Sequence, residues 1–393
     1  MLPYDADPLQ ELTAELDAWR QRLDRRGVLP RAWLGRLRRD LEAEAIAAST
    51  SMEGVPVTVD EVRRILAGDR PPEVKGEDAA LVQGYRDAMS FVLRRADASA
   101  FGWDAELIIA LHDRILAGNW AAGAGRFREG PTFVVNSETH EVVFEPPGAD
   151  RVPELVSVAC ETMQRGHAHP AIAAAWIHVA IAAIHPFRDG NGRAARVLAS
   201  LAMHRGGFRL PEFTSLEEWW GRRLAEYYAA FGVLGSAFDP ETDVTSFLLA
   251  HVSAQLRQVR GLDLRERTER QIWLALEQAV ADAGLQPRVA NAAWDAFFGR
   301  EVTSRYYRPL ADVSAATATN DLAAAVAAGI LRPVGRGRSR KYGAGPRLYS
   351  SVASVLGLGE RHGIDAAQGR AWIVGEMTKR ASAEPSSVPI SGR

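Results

Sequence analysis

The chain predicts a mainly α protein: a helical bundle with one small β-hairpin, followed by a C-terminal winged helix-turn-helix. Three observations carry that expectation. Ala-rich apolar runs recur at helical spacing, most clearly over 171–184. Only one pair of short β-prone runs, Thr132–Asn136 and Glu141–Phe144, flanks a polar turn, Ser137 to His140. Residues 302–342 repeat the order short helix, turn, helix, extended run and basic turn.

Taken in order, Pro8 to about Ala48 reads as two amphipathic helices separated near Gly27–Pro30. The second runs into Ser49-Thr50-Ser51-Met52-Glu53-Gly54, where Gly54 and Pro56 stop it. Thr58-Val59-Asp60-Glu61 starts a short helix closed by Gly68, and further helices are expected over 79–95 and 104–117. The hairpin follows and ends at Pro146-Pro147-Gly148. Helices resume at 152–165, 171–184, 197–203, 216–231 and 242–260. Gly261 to Arg267 reads as a boundary, with a helix at 268–283 beyond it. After Gly343 the pattern is weak, and Ala381 to Arg393, rich in Ser and Pro, reads as a flexible tail.

A chain of 393 residues exceeds one ordinary core, so two or three domains are expected. With 47% hydrophobic and 24% charged residues and a net charge of -2, the total argues neither for nor against nucleic acid. The single cysteine, Cys160, excludes an internal disulfide and a cysteine-rich zinc site. No signal pattern opens the chain and no apolar run reaches the ~18 residues of a membrane span, so a cytoplasmic protein is the default expectation.

The chemistry concentrates in His185-Pro186-Phe187-Arg188-Asp189-Gly190-Asn191-Gly192-Arg193-Ala194-Ala195-Arg196, a charged turn between two apolar helices. Pro186 biases His185 away from helical geometry, at the carboxyl end of its helix. Gly190 and Gly192 let the backbone approach a ligand and set free N–H groups at the start of the next helix, an anion site. Arg193 and Arg196, three apart, face the same anion. Asp189 beside a phosphate suits Mg²⁺, and His185 can take a proton from a hydroxyl. Taken singly, a His at a helix end is more often a cap, and a helical Arg more often solvated. Together they describe a nucleotide phosphate-transfer site.

The stretch resembles the signature of the Fic domain, His-x-Phe-x-(Asp or Glu)-Gly-Asn-Gly-Arg-x-x-Arg, at all eight specified positions. A chance match is well below about one in a hundred thousand at ordinary residue frequencies. The likeness extends to His169-Pro170, the hairpin and Gly125-Arg126-Phe127-Arg128, at least over 104–207. It implies a Fic-type helical bundle with the hairpin as flap, and AMP transfer from ATP to a Ser, Thr or Tyr hydroxyl of a target protein. Carried over, His185 is the general base and Asp189 the magnesium ligand. Asn191 with the Gly190 and Gly192 amides holds the α- and β-phosphates. Arg193 and Arg196 hold the β- and γ-phosphates, and Phe187 anchors the loop. The flap would align the target by strand addition.

Ser49-x-x-x-Glu53-Gly54 read alone is a helix end with a solvated Glu. Ahead of such a core it resembles the family's inhibitory helix, which implies that Glu53 pairs with Arg196, with Ser49 in support, and displaces phosphate. Removal of AMP is then the nearest rival activity, and other nucleotide or phosphoryl transfer a further one. Residues 301–345 hold seven Lys/Arg and three Asp/Glu, and Arg336, Arg338, Arg340 and Lys341 resemble a wing that meets DNA phosphates. The same module reads equally as a scaffold, and a DNA-binding regulator with a vestigial Fic site is the competing class. The expected organisation is 1–100 helical with the inhibitory motif, 101–262 catalytic core, 263–345 linker helix and winged helix, and 346–393 weakly patterned. Partners to expect are ATP, Mg²⁺ and a target protein. Self-modification, DNA and a homodimer are further candidates, and no membrane is expected.

Overall fold

The structure, a computed structural model, describes every residue except 26–30, 137–138, 211–212, 214–215, 336–339, 360–364 and 384–393, with backbone alone for 31–38 and 383. The expected helix break at Gly27–Pro30, Ser137 of the hairpin turn, Arg336, Arg338 and most of the expected tail fall outside the described residues. The chain divides into two compact units. One comprises Met1–Val28, Arg38–Leu66 and Arg70–Arg260; the other comprises Leu29–Leu37, Ala67–Asp69 and Gly261–Arg393.

The larger unit is built from α1 (Gln10–Arg25), α2 (Arg31–Ser51), α3 (Val59–Leu66), α4 (Gly76–Ala96) and α5 (Ala105–Ile115). A hairpin of β1 (Val134–Val135) and β2 (Val142–Phe144) follows, then α6 (Val152–Arg165), α7 (Pro170–Ile184) and α8 (Asn191–Arg205). Next come α9 (Leu216–Gly221), α10 (Leu224–Ala230) and the first part of α11 (Thr245–Asp282). Nearly every residue of α7 is buried, because a helix apolar all round can only sit in the core. Its Ala-rich surface lets α8 pack along it, and α8 also packs on α4 and α5. The site therefore forms at the turn between two deeply buried helices. In the hairpin, Val134 pairs with Phe144 and Val135 with Val142, with an irregularity between them. Glu145 N–H donates to Ser236 O and Phe238 N–H to Glu145 O, both at 2.9 Å, tying the base of the hairpin to the 236–238 segment.

The smaller unit holds the rest of α11, then α12 (Ala290–Phe297), α13 (Ser304–Ala311), α14 (Ala315–Ala327), β3 (Leu331–Val334), β4 (Lys341–Ala344), α15 (Leu348–Val355) and α16 (Ala366–Ala383). Thr303 caps α13 and Ser314 caps α14, each through its side-chain oxygen. β3 and β4 are antiparallel, and Val302 bridges to Tyr342.

Four expectations are corrected. The boundary expected at Gly261–Arg267 coincides with the division between the two units after Arg260, but no helix break marks it, because α11 runs through. Its flanking Val259 and Leu262 are buried, and Arg267–Asp263 and Arg265–Glu269 pairs support it, so packing overrides the helix cost of Gly261. The helix expected over 216–231 is two, divided at Gly221–Arg223, where Gly221 lies against Ala48 of α2. A helix not expected from the sequence, α12, buries Trp294 and Phe297. The weakly patterned C-terminal segment forms α15 and α16, and helix continues through Ala383 where a flexible tail was expected.

Candidate functional site

The turn from His185 to Gly190 is held from below by residues that face inward. Phe187 is fully buried, and Asn191 brackets its backbone: Phe187 N–H donates to Asn191 Oδ1 at 2.9 Å, and Asn191 Nδ2 donates to Phe187 O at 2.8 Å. The Asn191 side chain therefore braces the loop, and its backbone N–H, with those of Gly192 and Arg193, stands in the first turn of α8.

His112 of α5, not singled out from the sequence, lies flat on Phe187 with ring centroids 3.6 Å apart. Its Nδ1 accepts from Gly125 N–H at 3.2 Å, so the ring proton sits on Nε2 and is donated to Asp189 O at 2.8 Å. Burial lowers its pKa, which keeps that tautomer neutral. Gly190 caps α8 at φ +79, and a Cβ there would meet His112 Nε2 at 3.3 Å, so the position suits only glycine.

His185 is the C-cap of α7 at φ 51 and ψ 58, a left-handed conformation where the following proline predicts an extended one. Its N–H still bonds Ile181 O at 2.9 Å, as in a left-handed helix terminator. A non-glycine residue held there stores about 1–3 kcal/mol of strain. The clamp is Arg128, a second residue whose role the sequence did not disclose. Arg128 is 7% exposed, and its guanidinium donates to His185 O at 2.7 Å, to Gly130 O at 3.1 Å and to Pro147 O. Its own N–H bonds Pro186 O at 2.9 Å. The His185 ring donates from Nδ1 to Ala182 O at 3.3 Å, which leaves the Nε2 lone pair open. Burial lowers its pKa, so the ring is a neutral base at pH 7.

Arg193 is buried, and its NH2 reaches both Asp189 oxygens, at 3.2 and 3.3 Å. Its Nε and NH1 find no partner among the described residues. A buried guanidinium with two open donors at a helix N-terminus calls for an anion. The Asp189 side chain is 56% exposed and also accepts from Gly190 N–H at 2.6 Å. Among the described residues no group of three or more His, Cys, Asp or Glu could form a metal cage. A single exposed carboxylate beside an anion cradle fits Mg²⁺, which completes its shell from phosphate oxygens and water.

Arg196 is 3% exposed and fully engaged. Nε donates to Ser49 Oγ at 2.9 Å, NH2 to Ser49 O at 3.0 Å and to Glu53 Oε1 at 2.8 Å, and NH1 to Tyr227 Oη at 3.2 Å. Burial alone would lower its pKa, but Tyr227, Glu53 and Tyr85 around it leave the pKa above the ordinary arginine value. Glu53 stands in the turn after α2, where Tyr228 donates its hydroxyl to Met52 O at 3.1 Å. The Glu53 carboxylate lies over Gly192 so closely that a Cβ there would fall 2.3 Å from Oε1. The hairpin, by contrast, presents Phe133, Val135, Val142 and Val143 to solvent.

Of the expected wing contacts, Arg340 is exposed, and Lys341 is paired with Glu301 at 2.8 Å. The exposed positions of α14 are Ala315, Ala316, Thr319, Asn320, Ala323, Ala324 and Ala327, with no cation among them. Asp321 turns inward to Arg288, at 2.6 Å, and to Tyr307 Oη, at 3.0 Å.

Comparison with known proteins gives one family and one fold. Residues 102–203 match the Fic/DOC family. Protein adenylyltransferase fic-1 of Caenorhabditis briggsae is 34% identical over 128 residues, 32% of this chain and 23% of the relative. Protein adenylyltransferase Fic of Nematostella vectensis is 27% identical over 207 residues, 51% of this chain and 46% of the relative. The chain thus spans less than half the length of these curated relatives. Among solved structures, a Fic family protein from Desulfovibrio desulfuricans G20 superposes with a TM-score of 0.56 at 24% identity, over 88% of this chain and 98% of that one. A Fic domain containing signaling protein from Bacteroides thetaiotaomicron gives 0.55 at 21% identity, over 65% of this chain and 96% of that one. The fold is that of Fic proteins. The chain carries a Fic/DOC family domain, and the turn from His185 to Arg196 lies inside it.

Proposed function

We propose that the chain is a protein adenylyltransferase that moves AMP from ATP to a Ser, Thr or Tyr hydroxyl, and that Glu53 holds it in a low-activity state. The observation that carries the reading is Arg193: a buried guanidinium with two open donors, in the same turn as a neutral histidine with a free ring nitrogen. His185 Nε2 takes the hydroxyl proton as the oxygen attacks the α-phosphorus. The O–P bond forms, the bond to the β-phosphate oxygen breaks, and pyrophosphate leaves. The first N–H groups of α8, with Arg193 and Arg196, hold the phosphates, and positioning with charge neutralisation supplies most of the rate. Asp189 would hold Mg²⁺, which when bound neutralises phosphate charge. The exposed apolar hairpin is the edge on which a target segment would add as a strand.

Inhibition follows from Arg196. A carboxylate in its guanidinium fork occupies donors that a γ-phosphate needs. Glu53→Gly should raise incorporation of label from ATP, into the protein itself or into lysate proteins, and adding His185→Ala should abolish it. Unchanged labelling in Glu53→Gly would remove the inhibitory reading. Hydrolytic removal of AMP, the rival activity, has one observation in its favour: the Glu53 carboxylate lies directly over Gly192 at the start of α8, where it would orient a water. For the smaller unit we propose a winged helix that serves as a scaffold or recruits a protein. The exposed face of α14 carries no Lys or Arg to neutralise phosphate charge, which weighs against the DNA-reading alternative.

A further inference from the structure

Behind Arg196, four helices of the larger unit meet in a buried polar chain that the transfer reaction does not use. Arg196 NH1 donates to Tyr227 Oη of α10 at 3.2 Å. The same oxygen lies 3.1 Å from His178 Nε2 of α7, and His178 Nδ1 lies 3.2 Å from His251 Nε2 of α11. All four side chains are buried.

Proton bookkeeping gives the chain a direction. A guanidinium only donates, so the Tyr227 oxygen accepts from Arg196; we assign its single proton to His178 Nε2, the ring nitrogen 3.1 Å away. The remaining proton of a neutral His178 is then on Nδ1 and is donated to His251 Nε2. Burial keeps both rings uncharged: His251 is pushed down to about 3 and His178 well below its ordinary value. Each hydrogen bond therefore points away from the cation. Bonds aligned in series polarise one another, so the far rings strengthen the acceptor that faces Arg196. The other partners of Arg196, Ser49 and Glu53, come from α2 and the turn after it. That turn has to release its carboxylate before phosphate can bind. Tyr227 makes the one contact in this set that does not depend on it.

We propose that Tyr227, His178 and His251 are positioning residues that keep the Arg196 guanidinium aimed for an anion once Glu53 has left. The proposal rests on the reading of Arg196 as a phosphate ligand. In the Glu53→Gly protein, Tyr227→Phe should raise the apparent KM for ATP by about tenfold, the size of one lost hydrogen bond to a charged group, with kcat within about a factor of two. His251→Leu, which touches only the far end, should raise KM by about threefold by removing the terminal acceptor. His251→Gln, which keeps an acceptor, should recover most of that. A fall in kcat at constant KM, or equal effects of Leu and Gln at His251, would show a merely structural role and overturn the proposal. Imidazole nitrogen NMR of the unaltered protein supplies a readout independent of turnover. Both rings should be neutral at pH 7, with the proton on Nδ1 of His178, and Tyr227→Phe should shift His178 Nε2. A proton on His178 Nε2 would overturn the relay even if Glu53→Gly labels strongly. Absence of labelling with the expected tautomers would fail the transferase reading alone.

Discussion

At the scale of single residues, the turn separates side chains that face a ligand from side chains that build the cradle. Asn191 belongs to the second group. Asn191→Ala removes both brackets on Phe187 and leaves buried backbone groups unpaired, at roughly 1–3 kcal/mol. Urea unfolding should register that loss, and in a Glu53→Gly background labelling should fall with it. The motif itself was legible because its chemistry is contiguous: base, carboxylate, glycines and arginines occupy twelve successive positions. His112 and Arg128 were not legible, and the reason is physical. Both act on backbone groups, His112 on Asp189 O and Arg128 on four carbonyls, and a carbonyl leaves no mark in a sequence. The same reason hid the bonds between the Asn191 side chain and the Phe187 backbone.

At the scale of elements, two devices join distant segments to the turn. Arg128 ties the α7 terminus at His185 to both ends of the hairpin segment, at Gly130 and Pro147. Arg128→Ala should therefore accelerate hydrogen exchange through the hairpin and the 185–190 turn together, with α1 unaffected. Arg128→Lys should not restore protection, since a point charge cannot span the fork. The second device is α10, whose adjacent Tyr227 and Tyr228 hold Arg196 and the Met52 carbonyl. Tyr228→Phe should loosen only the turn that carries Glu53, and on the inhibitory reading relieve the block. Labelling by the otherwise unaltered chain should rise by roughly two- to tenfold, from ~0.5–1.5 kcal/mol, with no change in Glu53→Gly. Helix identity was readable where apolar periodicity is strong, as in α7. It failed at Gly261, where buried neighbours override a helix-weakening residue, and at 216–231, where close approach to Ala48 divides an apparently continuous helix.

At the scale of the molecule, the larger unit buries several uncharged histidines. Burial lowers His251 to about 3 and His167 to about 4, against an unfolded value near 6.5. Below pH 6.5 the unfolded chain takes protons that the folded one refuses, so stability is complete above that pH and is lost as pH falls toward 4. Each ring contributes up to about 1.4 kcal/mol per pH unit in that window. Urea midpoints at pH 7 and pH 5 should differ accordingly, and a His251→Gln protein should show a shallower slope. Activity follows the same sign, because His185 is also lowered by burial and must be neutral to accept a proton. The acid limb of kcat/KM for ATP in Glu53→Gly should lie below pH 6.5. In the smaller unit the order helix, turn, helix, hairpin was legible, whereas α15 and α16 were not.

The Glu53–Arg196 contact, read as inhibitory, makes the carboxylate a tethered ligand whose rival arrives from solution. Its strength is then set by effective concentration, the local molarity that the α2 turn imposes at the guanidinium. A tether of this kind has no fixed on and off. Anything that restrains or frees the turn, from a bound partner to a single hydroxyl on Tyr228, rescales that molarity, and with it the ATP level at which the site begins to work.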